Sequence, residues 1–213
     1  MEVSMRFNLL KIVIVSLMLS VSGLAGATLI LDQDFEGTEG SVGLVIPGAQ
    51  TFTVGIDGYL SAFDVELGGR REQTRSYVIG LTRTSDSGKP LDNYLDNFLF
   101  SSSGSLINQN EDVWLRFITP DILVNKGDMF AIYFINTSKY GNFSNTVNVN
   151  NDIDDDQYNS GKLWLNDGSW REFRDFGADV SFRTYVKEVP EPSSLAIFAL
   201  GIIGLVTRQI KKQ

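Results

Sequence analysis

Asp179-Val180-Ser181-Phe182-Arg183-Thr184-Tyr185-Val186 alternates in character along its whole length. Val180, Phe182, Thr184 and Val186 fall on one side, and Ser181, Arg183 and Tyr185 on the other. This period of two is that of a β-strand with one face buried. Tyr59 to Leu67 repeats the pattern, with Leu60, Ala62 and Asp64 assigned to one side and Tyr59, Ser61, Phe63, Val65 and Leu67 to the other. Further strand-like stretches run Thr28–Phe35, Thr51–Val54, Ser76–Thr84, Tyr94–Phe100, Val113–Thr119, Asp128–Asn136 and Gly161–Leu165. Gly68-Gly69 and Asn125-Lys126-Gly127-Asp128 supply turn chemistry between them. Between Thr28 and Lys187 no ten residues carry a helical stripe, so short strands with frequent turns predict an all-β fold, a single jelly-roll-like β-sandwich.

Composition narrows what such a sandwich can do. The 213 residues include no cysteine, so no disulfide stabilises the fold, and no histidine. Ser-His-Asp triads, Cys-His dyads and histidine-ligated zinc are therefore outside this chain's chemistry. Of its 26 acidic and 18 basic residues, Glu2, Glu188, Glu191, Arg6, Lys11, Arg208, Lys211 and Lys212 lie outside 28–187. That segment is left with 23 acidic and 13 basic residues, a net charge of −10. A domain so acidic is not built to bind nucleic acid.

The two ends read as addresses. Arg6 and Lys11 precede an apolar run from Ile12 to Val21, and Ala25-Gly26-Ala27 gives a small-x-small site. Residues 1–27 are expected to be a signal peptide cut by signal peptidase after Ala27. At the other end, Val189-Pro190-Glu191-Pro192 is followed by an uncharged run over 193–207 and a basic tail over 208–213. The two prolines hold that strip extended and remove amide donors. The uncharged run is short for a bilayer span of about 20 residues, and Arg208, Lys211 and Lys212 suit the cytoplasmic side. Segment 188–213 resembles the PEP-CTERM sorting signal, which membrane-embedded exosortases process in bacteria that export proteins into a polysaccharide matrix. The resemblance implies that Val189, Pro190, Glu191 and Pro192 are recognised by an exosortase, and that the run over 193–207 is a membrane-spanning helix that anchors the protein until processing.

The intervening 28–187 carries a second resemblance. Gln50-Thr51-Phe52-Thr53-Val54, Gly58-Tyr59-Leu60-Ser61, Trp114-Leu115-Arg116-Phe117, Leu123-Val124-Asn125-Lys126-Gly127-Asp128, Tyr158-Asn159-Ser160-Gly161 and Asp179-Val180-Ser181-Phe182-Arg183-Thr184-Tyr185 together resemble a bacterial surface module. Such modules are β-sandwiches similar to carbohydrate-binding domains. The resemblance implies the fold and suggests binding, with no ligand named.

Three groups of residues are candidates for chemistry. Asn150, Asp152, Asp154 and Asp156 recur at every second position and could direct oxygens at structural Ca²⁺, although the glycine and glutamate of an EF-hand loop are missing. A solvated acidic loop is the plainer account of that stretch. Tyr140, Phe143, Tyr158 and Trp170, with Trp164 nearby, could stack on the apolar faces of sugars; for Trp164 and Trp170 a place in the core is the alternative. Asp64 with Glu66, or Glu172 with Asp175, could form a glycosidase-like carboxylate pair, but in so acidic a domain such pairs also arise as surface charge. The expected function is therefore a non-catalytic exported protein of the cell surface or polysaccharide matrix, possessing glycan affinity. A self-associating structural matrix protein and a carboxylate-dependent carbohydrate-active enzyme are the alternatives.

Overall fold

The alternating stretch at the end of the domain forms two strand pieces separated at Ser181. The computed structural model describes residues 28–36, 41–44, 46–68, 75–106, 113–137, 143–148, 158–173 and 179–188. Its strands are β1 Leu29–Phe35, β2 Ser41–Leu44, β3 Gly48–Thr53, β4 Gly58–Gly68, β5 Arg75–Arg83, β6 Phe100–Leu106, β7 Val113–Val124, β8 Met129–Asn136, β9 Phe143–Asn148, β10 Leu163–Asn166, β11 Trp170–Glu172, β12 Asp179–Val180 and β13 Phe182–Lys187. One sheet runs β1-β13-β4, with β7 on the far side of β4; β9 and then β12 continue from the end of β4, and β2 pairs with β9. The other runs β11-β10-β3-β8-β5-β6. Successive strands cross between the sheets so that first, last, third and sixth main strands (β1, β13, β4, β7) face second, seventh, fourth and fifth (β3, β8, β5, β6). This order is that of a jelly roll.

The core lies between the sheets because the strands alternate as their sequences demand. Phe182 and Val186 of β13 meet Phe52 of β3 and its neighbours, and all three side chains are fully buried. The Phe52 and Phe182 rings lie 5.8 Å apart across the interface, while Phe63 stacks on Phe117 at 5.2 Å and meets Phe100 edge-on at 5.7 Å. Each such side chain contributes about 1.5–3 kcal/mol by leaving water. Buried Gln50 ties the layers with polar bonds: its Nε2 donates to Asp179 Oδ1 (2.7 Å) and its Oε1 accepts from the Val180 amide (2.9 Å).

Two sequence expectations change. Leu60 belongs to the core together with Phe63, Val65 and Leu67, not on the opposite side. The β4–β7 register breaks at Ser61: Leu60 faces Ile122 and Ala62 faces Ile118. Against β13, Val186 faces Leu60 and Tyr185 faces Ala62, so Ser61 is an extra residue, a bulge that flips the phase of β4. Thr119-Pro120-Asp121 of β7 lies across from it on the other side. Thr119 Oγ1 donates to the Leu60 carbonyl (2.9 Å), and Ser61 Oγ to Asp121 Oδ1 (2.7 Å), fixing it. Tyr94–Phe100 is also no strand. Tyr94–Asp96 is a 3₁₀ turn, and β6 starts only at Phe100.

That connection roofs the outer face of the β3-β8-β5 sheet. Ala131 and Tyr133 point outward from β8 while Phe130, Ile132 and Phe134 point into the core. Tyr94 stacks on Tyr133 at 4.7 Å, and Phe98 meets Tyr133 edge-on at 5.7 Å. Glycine is required at position 80, since a Cβ there would run into the Phe98 ring.

Candidate functional site

Two outer faces remain after the core is filled, and they differ in chemistry. The face of the β1-β13-β4-β7 sheet carries cross-strand rows. Asp34, Arg183, Asp64 and Arg116 line up as one row of alternating charge, and Leu31, Tyr185, Ala62 and Ile118 as the next. Asp64 is the centre of the charged row. Its carboxylate accepts from Arg116 Nε and Nη2, both at 2.8 Å, and from Tyr185 Oη at 2.8 Å. Burial opposes the charge, but the hydrogen bonds from Arg116 and Tyr185 and the Arg116 and Arg183 charges outweigh it, so the carboxyl titrates below its ordinary range. Arg116 lies 4.5 Å over the Tyr185 ring and Arg183 4.1 Å over Trp114. Asp64 is thus committed to a three-donor cage. A general acid must instead hold a proton near the working pH, and Asp64 does not fit that role.

The other face carries a groove of about 350 Å³ beside the roof. Thr51 and Thr53 of β3 form part of its lining, with Ser87, Gly88 and Met129 to one side and the Asn159–Lys162 segment to the other. That segment is riveted to β3. The Lys162 amide donates to Thr51 Oγ1 (2.9 Å), Thr51 Oγ1 donates to the Lys162 carbonyl (3.1 Å), and Thr53 Oγ1 donates to the Ser160 carbonyl (2.7 Å). Only glycine fits at 161, because a Cβ would overlap the Thr51 carbonyl. Trp164 and Glu172 complete the lining, and Lys162 Nζ reaches Glu172 Oε1 at 2.6 Å. Trp164 is half-buried, packed against the Ala49, Tyr133 and Trp170 cluster, and its inaccessible Nε1 has no hydrogen-bond partner among the described residues. The groove therefore combines an aromatic ring, a thioether, hydroxyls, an amide and a mutually neutralised ion pair.

Of the aromatic residues expected to bind glycan, Tyr158 and Trp170 are buried. Tyr158 is 7% exposed. Its ring sits edge-on to Phe182 at 5.0 Å and tilted to Phe35 at 5.8 Å, and its hydroxyl donates to Gln33 Oε1 (2.9 Å). Burial pushes its phenol well above the ordinary value. Trp170 is 4% exposed, edge-on to Tyr133 at 5.4 Å, and its Nε1 donates to the Leu91 carbonyl (2.9 Å). The Leu91 amide in turn donates to Tyr133 Oη (2.9 Å), so Trp170 and Tyr133 hold the roof by both sides of one residue. Both rings are packing elements and offer no open face to a sugar, which corrects the expectation for Tyr158 and Trp170. Phe143 opens β9 opposite Leu44. Tyr140, the cation candidates Asn150, Asp152, Asp154 and Asp156, the cleavage-site residues Ala25 and Ala27, and the sorting residues Val189, Pro190, Glu191 and Pro192 lie outside the described residues, as does Asp175. Among the described residues there is no cluster of three or more metal-ligating side chains, and no helix is long and apolar enough to cross a membrane.

Of the aromatic residues the sequence grouped together, Trp164 lines the groove. Its signal was present in Leu163-Trp164-Leu165: with both leucines in the core, period two sends the tryptophan outward.

A family model described as the PEP-CTERM protein-sorting motif matches residues 188–212, so the chain carries this sorting motif. The motif implies export and a transient membrane anchor before processing. No curated protein matches. Among solved structures, the chain is similar to the cysteine protease and lectin-like domains of Cwp84, a surface layer associated protein of Clostridium difficile, with TM-score 0.45 and 11% identity. The similarity covers 68% of this chain and 32% of that one, so this chain spans about a third of the other's length.

Proposed function

We propose that this protein is a non-catalytic component of the cell surface or extracellular polysaccharide matrix, delivered by exosortase-dependent sorting, and that its sandwich engages polysaccharide without cleaving it. The observation that carries the reading is the sorting motif at 188–212. In this account signal peptidase cuts after Ala27, the run over 193–207 holds the chain in the membrane, and an exosortase acts at Val189-Pro190-Glu191-Pro192. The acidity of 28–187 keeps the domain away from nucleic acid. The caged Asp64 supports a binding role over acid–base chemistry. Replacing Pro190, Glu191 and Pro192 together by alanine is expected to leave an unprocessed, membrane-associated chain, detected by fractionation and intact mass. Release of that variant at the wild-type rate and mass rules out the sorting account.

A second reading, self-association within the matrix, is favoured by one observation. The row Leu31, Tyr185, Ala62, Ile118 is apolar, and Leu31 and Ile118 are 46% and 64% exposed. Sedimentation velocity of wild type against Ile118→Lys tests it: a concentration-dependent oligomer lost in the variant supports assembly through this face, and a monomer at all concentrations removes it.

A further inference from the structure

We infer that the groove between the Ser87-Gly88 turn and the Asn159–Lys162 segment is a binding site for a neutral saccharide, with Trp164 and the Lys162–Glu172 pair as its recognition elements. The inference rests on the proposed polysaccharide-binding role and locates it. Its size is the first support: about 350 Å³ falls within the roughly 300–1,000 Å³ usual for small-ligand sites, enough for one or two sugar rings. Its rigidity is the second. Thr51 and Thr53 spend their hydroxyls on the Lys162 and Ser160 backbone, and Gly161 lies flat on the Thr51 carbonyl, so one wall is fixed to β3 before any ligand arrives. A preformed wall lowers the ordering cost of binding.

The composition selects the ligand class. A half-buried indole and the Met129 thioether offer apolar contact suited to the C–H face of a pyranose. Lys162 and Glu172, 2.6 Å apart, place ammonium donors beside carboxylate acceptors, the combination that neighbouring sugar hydroxyls satisfy because each hydroxyl both donates and accepts. Asn159 and Ser160 add amide and hydroxyl groups at the rim. The ion pair leaves the groove without net charge, and the surrounding domain, at −10 over residues 28–187, repels anionic chains such as uronates. A purely apolar ligand is disfavoured because it would strip water from the ion pair without replacing its hydrogen bonds.

The test titrates the full-length chain, in a detergent without a sugar headgroup, with neutral hexasaccharides of glucose, mannose, xylose and N-acetylglucosamine, and with oligogalacturonate. Calorimetry and tryptophan fluorescence are the readouts. At least one neutral hexasaccharide is expected to bind saturably, with affinity falling about thirtyfold in Trp164→Ala, as for truncation of a central aromatic anchor. Glu172→Gln, which keeps the size of a rim side chain and leaves the Trp164 packing intact, is expected to lose about tenfold. Wild-type binding that persists unchanged in Glu172→Gln and in a folded Trp164→Ala overturns the groove while leaving a polysaccharide-binding role in place. Binding of oligogalacturonate alone overturns the neutral class. Binding of no saccharide by wild type removes the polysaccharide role and the groove together.

Discussion

Replacing Arg116 by methionine isolates the one carboxylate that the fold has most firmly committed. Methionine keeps an apolar stem against the Tyr185 ring and removes the guanidinium, which donates twice to Asp64 at 2.8 Å. What remains is a carboxylate whose side chain is 8% exposed, served by Tyr185 Oη alone. Loss of one partner of a buried ion pair costs about 3–5 kcal/mol. The Arg116 side chain, however, is 52% exposed, so solvent screens part of the attraction and the expected loss is about 2 kcal/mol. A double-mutant cycle with Asp64→Asn separates the pair from each side chain's other contacts. Read by equilibrium unfolding at pH 7, the coupling is expected at about 1.5–2 kcal/mol. The folded Asp64 pKa is depressed, so its contribution is fully present above the unfolded value near 3.9 and is lost as pH falls through the lower folded value. The coupling must therefore persist at pH 5 and fade toward pH 2. A coupling below about 0.5 kcal/mol at pH 7, or one unchanged between pH 7 and pH 2, refutes the reasoning.

Three other outcomes follow from contacts already described or adjoining them. Gly161→Ala drives a methyl into the Thr51 carbonyl and is expected to cost about 1–3 kcal/mol, with faster amide exchange at Thr51 and Lys162 as the segment lifts from β3; wild-type exchange at both amides counts against it. Trp170→Phe keeps the ring in its cluster but deletes the bond to the Leu91 carbonyl, so about 1 kcal/mol of stability is lost and limited proteolysis moves to the Thr84–Leu99 roof; an unaltered cleavage pattern contradicts this anchoring role. Asp32, whose carboxyl is raised by burial despite bonds from the Gly55 amide and Thr184, should be improved by Asp32→Asn at pH 7, by up to about 1 kcal/mol. Because a raised folded pKa lends stability that is present below the unfolded value and lost as pH rises through the folded one, the advantage should vanish near pH 3 in thermal melts.

The sheet architecture could be read from residues because it rests on period two, and Phe182, Thr184 and Val186 turn inward as the alternation requires. Alternation fails where the backbone changes phase without a change in composition. Ser61 bulges between the partners Val186 and Tyr185 of β13 and faces Thr119-Pro120-Asp121 of β7, both distant in sequence, so nothing local to Tyr59–Leu67 warned that Leu60 and Phe63 share a side. The Tyr94–Phe100 stretch misled for a different reason. Its aromatic residues suit a strand, but Tyr94 in a 3₁₀ turn and Phe98 just after it both reach Tyr133. Tryptophan was the hardest to place, since Trp164 and Trp170, both outward-facing on one sheet, differ in what covers them. Trp170 lies under the roof and bonds to Leu91, whereas Trp164 lines the groove beside it.

This difference explains why a groove forms on the outer face of the β3-β8-β5 sheet. On the β1-β13-β4-β7 face, Asp34, Arg183, Asp64 and Arg116 line up across four adjacent strands with their charges paired to one another. The opposite face starts from outward residues that are small or hydroxylated, Ala49, Thr51, Ala131 and Thr82, and these leave a depression over β3 and β8. The Thr84–Leu99 connection fills that depression with Tyr94 and Phe98 only as far as its Tyr133 and Trp170 anchors reach. From the other side the Asn159–Lys162 segment is held down by Thr51 and Thr53. Between these two fixed coverings the sheet is left open at Trp164, Met129 and the Lys162–Glu172 pair. The groove is thus a product of where two loops are anchored, and loosening either anchor should change its width before it changes the sandwich beneath.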